Sequence, residues 1–208
     1  MQVIDREVIN NLRSHFTNDI LSFTYDWWRN KIAKVNYKIE PEIAPWFWNT
    51  VFEGKWPSLS DAYKYGESCK ICGDMNDIIN RIQQGLNGNS RTLNEQILLR
   101  CRTYNFRCGF LREFYVADMI YQLDHSCVLH YDRLMDVSEG VDLIYKSNGT
   151  TKYIAVKHQG DGSKYHEQTR KLKKDIHEAI ILRAPDDAED KESLHFPTID
   201  DIKTLVLN

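Results

Sequence analysis

An α/β fold is what the 208-residue sequence predicts: a mixed central sheet flanked by helices, preceded by an N-terminal helical region. Two observations predict it. Up to about residue 123, apolar residues recur mostly every three or four positions, the period of amphipathic helices. Beyond that point they fall into short β-branched and aromatic runs of period two, interrupted by one more helical stretch. Helices interleaved with strands in this way bury their apolar faces in an α/β sandwich.

The elements follow in order. Val3, Ile4, Val8, Ile9, Leu12, Phe16, Ile20, Leu21, Phe23 and Trp27 make one amphipathic helix. Pro41 to Trp56 is rich in aromatics and broken by Pro45 and Gly54, which suits short helical turns lying over that helix. A helix is expected from Asp74 to about Gln84, closed by Gly85 and Gly88. Another runs through Leu98 to about Tyr104, capped by Ser90 or by Thr92 with Glu95 as its capping-box partner. A helix from Arg107 to Leu123 leads into strands at 127–131, 139–146 and 152–159. A helix at 163–174, a fourth strand at 178–183 and a closing helix at 199–205 complete the chain. The natural division is a helical region over 1–106, for recognition or dimer contact, and an α/β core over 107–208.

The bulk numbers are those of a globular protein: 42% hydrophobic, 27% charged and 12% aromatic residues, enough apolar side chain for a sizeable core. No apolar run approaches the roughly 18 residues of a membrane span. The N-terminus carries no basic segment followed by an apolar one, and five cysteines is an odd number, so the expectation is a reducing cytoplasm. A net charge of -3 gives no global attraction to nucleic acid. Locally the balance changes: Thr151 to Ile180 holds seven Lys/Arg against four Asp/Glu. The acidic run Pro185 to Glu192 reads as a solvated loop.

Chemistry concentrates on two residues. Asp142 lies in Gly140-Val141-Asp142-Leu143-Ile144-Tyr145, and Lys157 fifteen residues on in Tyr153-Ile154-Ala155-Val156-Lys157-His158-Gln159. Between them Ser147-Asn148-Gly149-Thr150 supplies a turn, so the two runs pair as adjacent antiparallel strands. One carboxylate and one ammonium then meet at the same end of a sheet. A carboxylate that holds Mg²⁺ and a lysine that polarises water or phosphate are the skeleton of a metal-dependent phosphodiesterase. The same pair is also the pattern of a surface ion pair.

Helix, three strands, helix and strand, with these residues on them, resembles the PD-(D/E)XK nuclease superfamily over residues 107–183. The resemblance implies an acid on the second strand, (D/E)-X-K on the third and often a glutamate on the preceding helix. Asp142 matches the first acid, Lys157 the lysine, and Glu113 the helix glutamate, although Glu113 also reads as a solvent-facing partner of Arg112. The second acid is replaced: residues 153, 155 and 157 share a strand face, and Ala155 stands beside Lys157 where a carboxylate belongs. Some restriction enzymes of the superfamily supply that group from the next helix, which makes Glu167 the candidate here. Gln159, on the Lys157 face, and Asp161 are weaker substitutes.

The resemblance therefore implies a Mg²⁺-dependent DNA endonuclease, with Mn²⁺ as a substitute metal. Asp142, Glu167 and Glu113 are its metal ligands and Lys157 stabilises developing charge. A type II restriction endonuclease acting as a homodimer is the leading setting. The alternatives are a transposase-associated or repair nuclease active only with a partner, and an inactive DNA-binding protein that kept the fold. Arg170, Lys171, Lys173 and Lys174 would contact DNA phosphates, with Gln159 nearby, or simply form a solvated helix face. Trp27, Trp28, Trp46, Trp48 and Trp56 read as core in preference to base-stacking groups. Cys69 and Cys72 with Cys101 and Cys108 leave structural Zn²⁺ as an alternative. Their second gap is too wide for a standard framework, so buried thiols are preferred.

Overall fold

The computed structural model describes residues 1–21, 38–39, 43–68, 71–72, 109–158, 179–184 and 196–207. In chain order these form β1 (Gln2–Ile4), α1 (Arg6–Leu21), β2 (Lys38–Ile39), α2 (Ile43–Phe52), α3 (Leu59–Ser68) and β3 (Ile71–Cys72). Then come α4 (109–123), β4 (Val128–Tyr131), α5 (Arg133–Glu139), β5 (Leu143–Ser147), β6 (Thr150–His158), β7 (Ala179–Ala184) and α6 (Ile199–Leu207). The helices expected at 74–84, 92–104 and 163–174 lie outside the described residues.

Five strands make the main sheet in the order β1-β4-β5-β6-β7, and β2 and β3 form a separate two-stranded pair. The first four strands pair antiparallel and β7 joins β6 in parallel, so the sheet is mixed. β5 and β6 are joined by a two-residue hairpin. Asn148 and Gly149 both take positive φ, 50° and 78°, the geometry that matches the twist of paired strands and that Asn-Gly favours. Ser147 stands opposite Thr150 and Leu143 opposite Ile154.

One face of the sheet packs against helices, and Ile144 and Ala155 on the other face are buried as well. Ile4, Leu129, Tyr131, Leu143, Tyr145, Ile154 and Val156 join Ile9, Leu12 and Phe16 of α1, Phe47, Trp48 and Val51 of α2, and Ile202 and Leu205 of α6 in one core. At its centre lies α4, where Phe110, Phe114, Val116, Ala117 and Ile120 are all buried. Aromatic rings fill the space between helices: Phe47 stacks on Phe110 at 4.7 Å, Trp56 meets Phe114 edge-on at 4.9 Å, and Phe16 packs on Phe114 at 5.3 Å. Trp46, Trp48 and Trp56 thus belong to the core or pack against it.

Local signals start the helices. Asp5 accepts the Glu7 N–H at 2.7 Å and caps α1, while the hydroxyls of Ser58 and Thr198 cap α3 and α6, each accepting the N–H of Asp61 or Asp201 and donating to that residue's carboxylate. Polar ties then fix helix to helix and helix to sheet. Arg13 holds the buried Asp118 through two nitrogens, the shortest contact 2.6 Å, and Gln122 donates to the same carboxylate. The Tyr121 hydroxyl donates to the Ile4 carbonyl and accepts the Leu129 N–H, joining β1 to β4.

Three expectations are corrected. Val3 and Ile4 do not begin the first helix; they lie in β1, whose pairing with β4 satisfies their backbone, and the helix starts at Arg6. The strand expected at 139–146 covers 143–147, because residues 133–139 form α5. The strand expected from 152 begins at Thr150, the one expected to end at 183 runs to Ala184, and the closing helix runs on to Leu207, while residues 159 and 178 lie outside the described residues. Among the described residues, no helix is long and apolar enough to cross a membrane.

Candidate active site

α5 sets up the site by the way it ends. Asp132 caps its start, accepting the N–H groups of Leu134 and Met135. Gly140 ends it in the left-handed region, φ 71°, where a glycine pays no steric penalty. The Gly140 N–H bonds the Asp136 carbonyl, and the Val141 N–H the Met135 carbonyl. The chain turns back there and Asp142 arrives at the head of β5.

Asp142 is buried, 4% exposed, and is joined to β6 twice. Its N–H donates to the Ile154 carbonyl at 2.9 Å, and its Oδ2 accepts the Val156 N–H at 2.6 Å. These bonds engage both neighbours of Ala155. A carboxylate takes a position at the end of the ladder that a backbone carbonyl would otherwise fill, and a bond to a charged acceptor is stronger than an ordinary ladder bond. Asp142 is therefore anchored one residue from Lys157, whose backbone pairs with Arg183 of β7.

Glu113 approaches from α4. It is buried, which corrects the solvent-facing alternative, and its Oε2 accepts the indole N–H of Trp48 at 3.0 Å. Tyr131, at the end of β4, connects the acids. Its ring stacks on Trp48 at 5.7 Å, and its hydroxyl donates to Asp136 Oδ2 at 2.7 Å. Burial pushes the Tyr131 phenol well above its ordinary range, and the negative charges of Asp136, Glu113 and Asp142 all push it the same way. The helix carboxylate and the strand carboxylate thus both bear on Tyr131, which is held as a neutral donor.

Sequence reasoning missed Trp48, Tyr131 and Asp136 at this place. Asp132 and Gly140 were signals for the helix that carries Asp136. Nothing local marked the other two: Trp48 meets a carboxylate 65 residues away. Ala155 is buried at 2% exposure, so a methyl group does stand on β6 beside Asp142. Glu167, Gln159, Asp161, Arg170, Lys171, Lys173 and Lys174 lie outside the described residues, as do Trp27, Trp28, Cys69, Cys101 and Cys108. Cys127 is free and buried, and burial, helped by the Asp124 carboxylate, pushes its thiol up to about 11.

A hard divalent cation fits the donor chemistry of this neighbourhood. Among the described residues no three carboxylate, imidazole or thiolate groups stand close enough to hold a metal ion. Mg²⁺ does not require three: it keeps several waters and is held by one or two carboxylates with substrate phosphate oxygens completing the shell. Asp142 and Glu113 both offer carboxylate oxygens, the donor type that Mg²⁺ prefers. Compared with known proteins, the chain matches no family model, no curated protein and no solved structure.

Proposed function

We propose that this chain is a Mg²⁺-dependent DNA endonuclease of the PD-(D/E)XK type, acting as a restriction endonuclease and as a homodimer. One observation carries the reading: the buried Asp142 carboxylate is bound to the β6 backbone at Val156, next to Lys157 in the strand. Asp142 and Glu113 hold the metal, with Glu167 supplying the carboxylate that Ala155 lacks. When bound, Mg²⁺ acts as a Lewis acid on the phosphodiester and makes a nucleophile of water near neutral pH. Lys157 neutralises charge that develops on the phosphoryl oxygens. Hydrolysis forms one P–O bond to water and breaks one P–O ester bond, with a proton passing to the departing alkoxide. Arg170, Lys171, Lys173 and Lys174 contribute phosphate contacts, whose affinity falls as salt rises.

Plasmid cleavage in Mg²⁺, and in Mn²⁺, by the wild type and Lys157→Ala tests this. Wild-type cutting that the substitution abolishes is the expected result; equal cutting by both rejects the site. Ala155 itself favours a second reading, a DNA-binding protein that kept the fold and lost the chemistry. Titration calorimetry separates the two, since that protein binds DNA but neither Mg²⁺ nor Mn²⁺.

A further inference from the structure

We infer that Trp48 is a positioning residue for the metal site: its indole N–H orients the Glu113 carboxylate, making the N-terminal helical region part of the catalytic apparatus. The inference rests on the metal-dependent reading above and adds a residue to it. Trp48 is fully buried on α2, and its Nε1 lies 3.0 Å from Glu113 Oε2. An indole has a single donor and no acceptor, so this bond satisfies its whole hydrogen-bonding capacity. The ring cannot easily rotate away. It is clamped by Tyr131 at 5.7 Å on one side, Phe110 edge-on at 5.6 Å and Phe52 at 6.0 Å.

A long glutamate side chain loses rotamer freedom when it becomes a ligand, and that loss weakens metal binding. A rigid donor on one oxygen removes much of the freedom beforehand and leaves the orientation of the second oxygen determined. Glu113 Oε1 lies towards the first turn of α4, 4.0 Å from where a Cβ on Gly109 would stand. Tyr131 serves the neighbouring acid in the same way, its hydroxyl donating to Asp136 while its ring supports Trp48. Partners that orient metal ligands typically change metal affinity by about 10–100-fold when removed.

The test is Mn²⁺ titration calorimetry on the full chain, comparing wild type, Trp48→Phe, Glu113→Gln and the double variant. Trp48→Phe should weaken Mn²⁺ binding about 10-fold or more, and adding it to Glu113→Gln should weaken binding no further. Unchanged affinity in Trp48→Phe, or the same loss in both backgrounds, overturns the positioning role while leaving the metal site intact. A wild type that binds no Mn²⁺ overturns the metal-dependent reading and this inference together. Because phenylalanine leaves a gap in a packed core, a second variant carries benzothienylalanine in place of Trp48, which keeps the bicyclic shape and deletes only the N–H. It should fold like the wild type and show the same weakening. Wild-type affinity in that variant overturns the inference.

Discussion

Replacing Asp142 separates what its carboxylate does for the fold from the metal-binding role proposed for it. The Val156 N–H has Asp142 Oδ2 as its acceptor at 2.6 Å, and both residues are buried. Alanine at 142 removes the acceptor and leaves that N–H unpaired away from water. A bond to a charged group contributes ~1.5–3 kcal/mol, and a buried donor without a partner costs a similar amount. Taking about 2 kcal/mol, a chain of this size should melt about 4–8 °C lower. Asparagine keeps an oxygen in the same place, so Asp142→Asn should recover at least half of that loss. Neither variant should cleave DNA. Thermal unfolding followed by circular dichroism, together with the plasmid assay, gives both readouts. If Asp142→Ala melts with the wild type, or Asp142→Asn is as unstable as alanine, the anchoring of Asp142 on β6 is refuted.

Two further outcomes follow from the geometry. Burial acts to raise the Asp124 carboxyl, but hydrogen bonds from Ser126 and Tyr145 overcome it and hold the group below its ordinary range. Its stabilisation is therefore full above the unfolded value of about 3.9 and is lost as pH falls below it. Urea unfolding from about pH 5 down to about pH 2, the range over which a depressed carboxylate loses its contribution, should show a shallower acid loss in Asp124→Asn than in the wild type; identical slopes would remove Asp124 as a cause. A Cβ at Gly140 meets nothing within 4 Å, so Gly140→Ala pays only for its φ of 71°, about 1–2 kcal/mol. Denaturant midpoints measure that cost, and no loss would mean the αL cap is dispensable.

The parts of the fold that were legible in the sequence are those built by neighbours. Asn148-Gly149 between two β-branched runs specified the β5–β6 hairpin, because the turn type needs residues that tolerate positive φ. α4 was legible because fifteen residues repeat an apolar pattern that burial requires. β1 was not, since Val3 and Ile4 also satisfy the helical spacing to Val8 and Ile9, and its partner strand is more than 120 residues away. α5 was hidden for a different reason: seven residues with no buried side chain carry no periodic signal, only caps. The site divides similarly. Asp142 is marked by its strand and its spacing to Lys157, whereas Trp48 and Tyr131 reach the acids through packing between distant segments.

The pairing of β1 with β4 bears on how the molecule is made. A strand of three residues near one end must wait for its hydrogen-bonding partner until residue 131 has been synthesised. Until then the apolar stripe of Ile9, Leu12 and Phe16, which follows it directly, lacks the sheet and α4 that cover it in the finished structure. Such long-range closure slows folding and leaves sticky surface exposed on nascent chains. Once the two strands pair, the single hydroxyl oxygen of Tyr121 bridges β1 and β4.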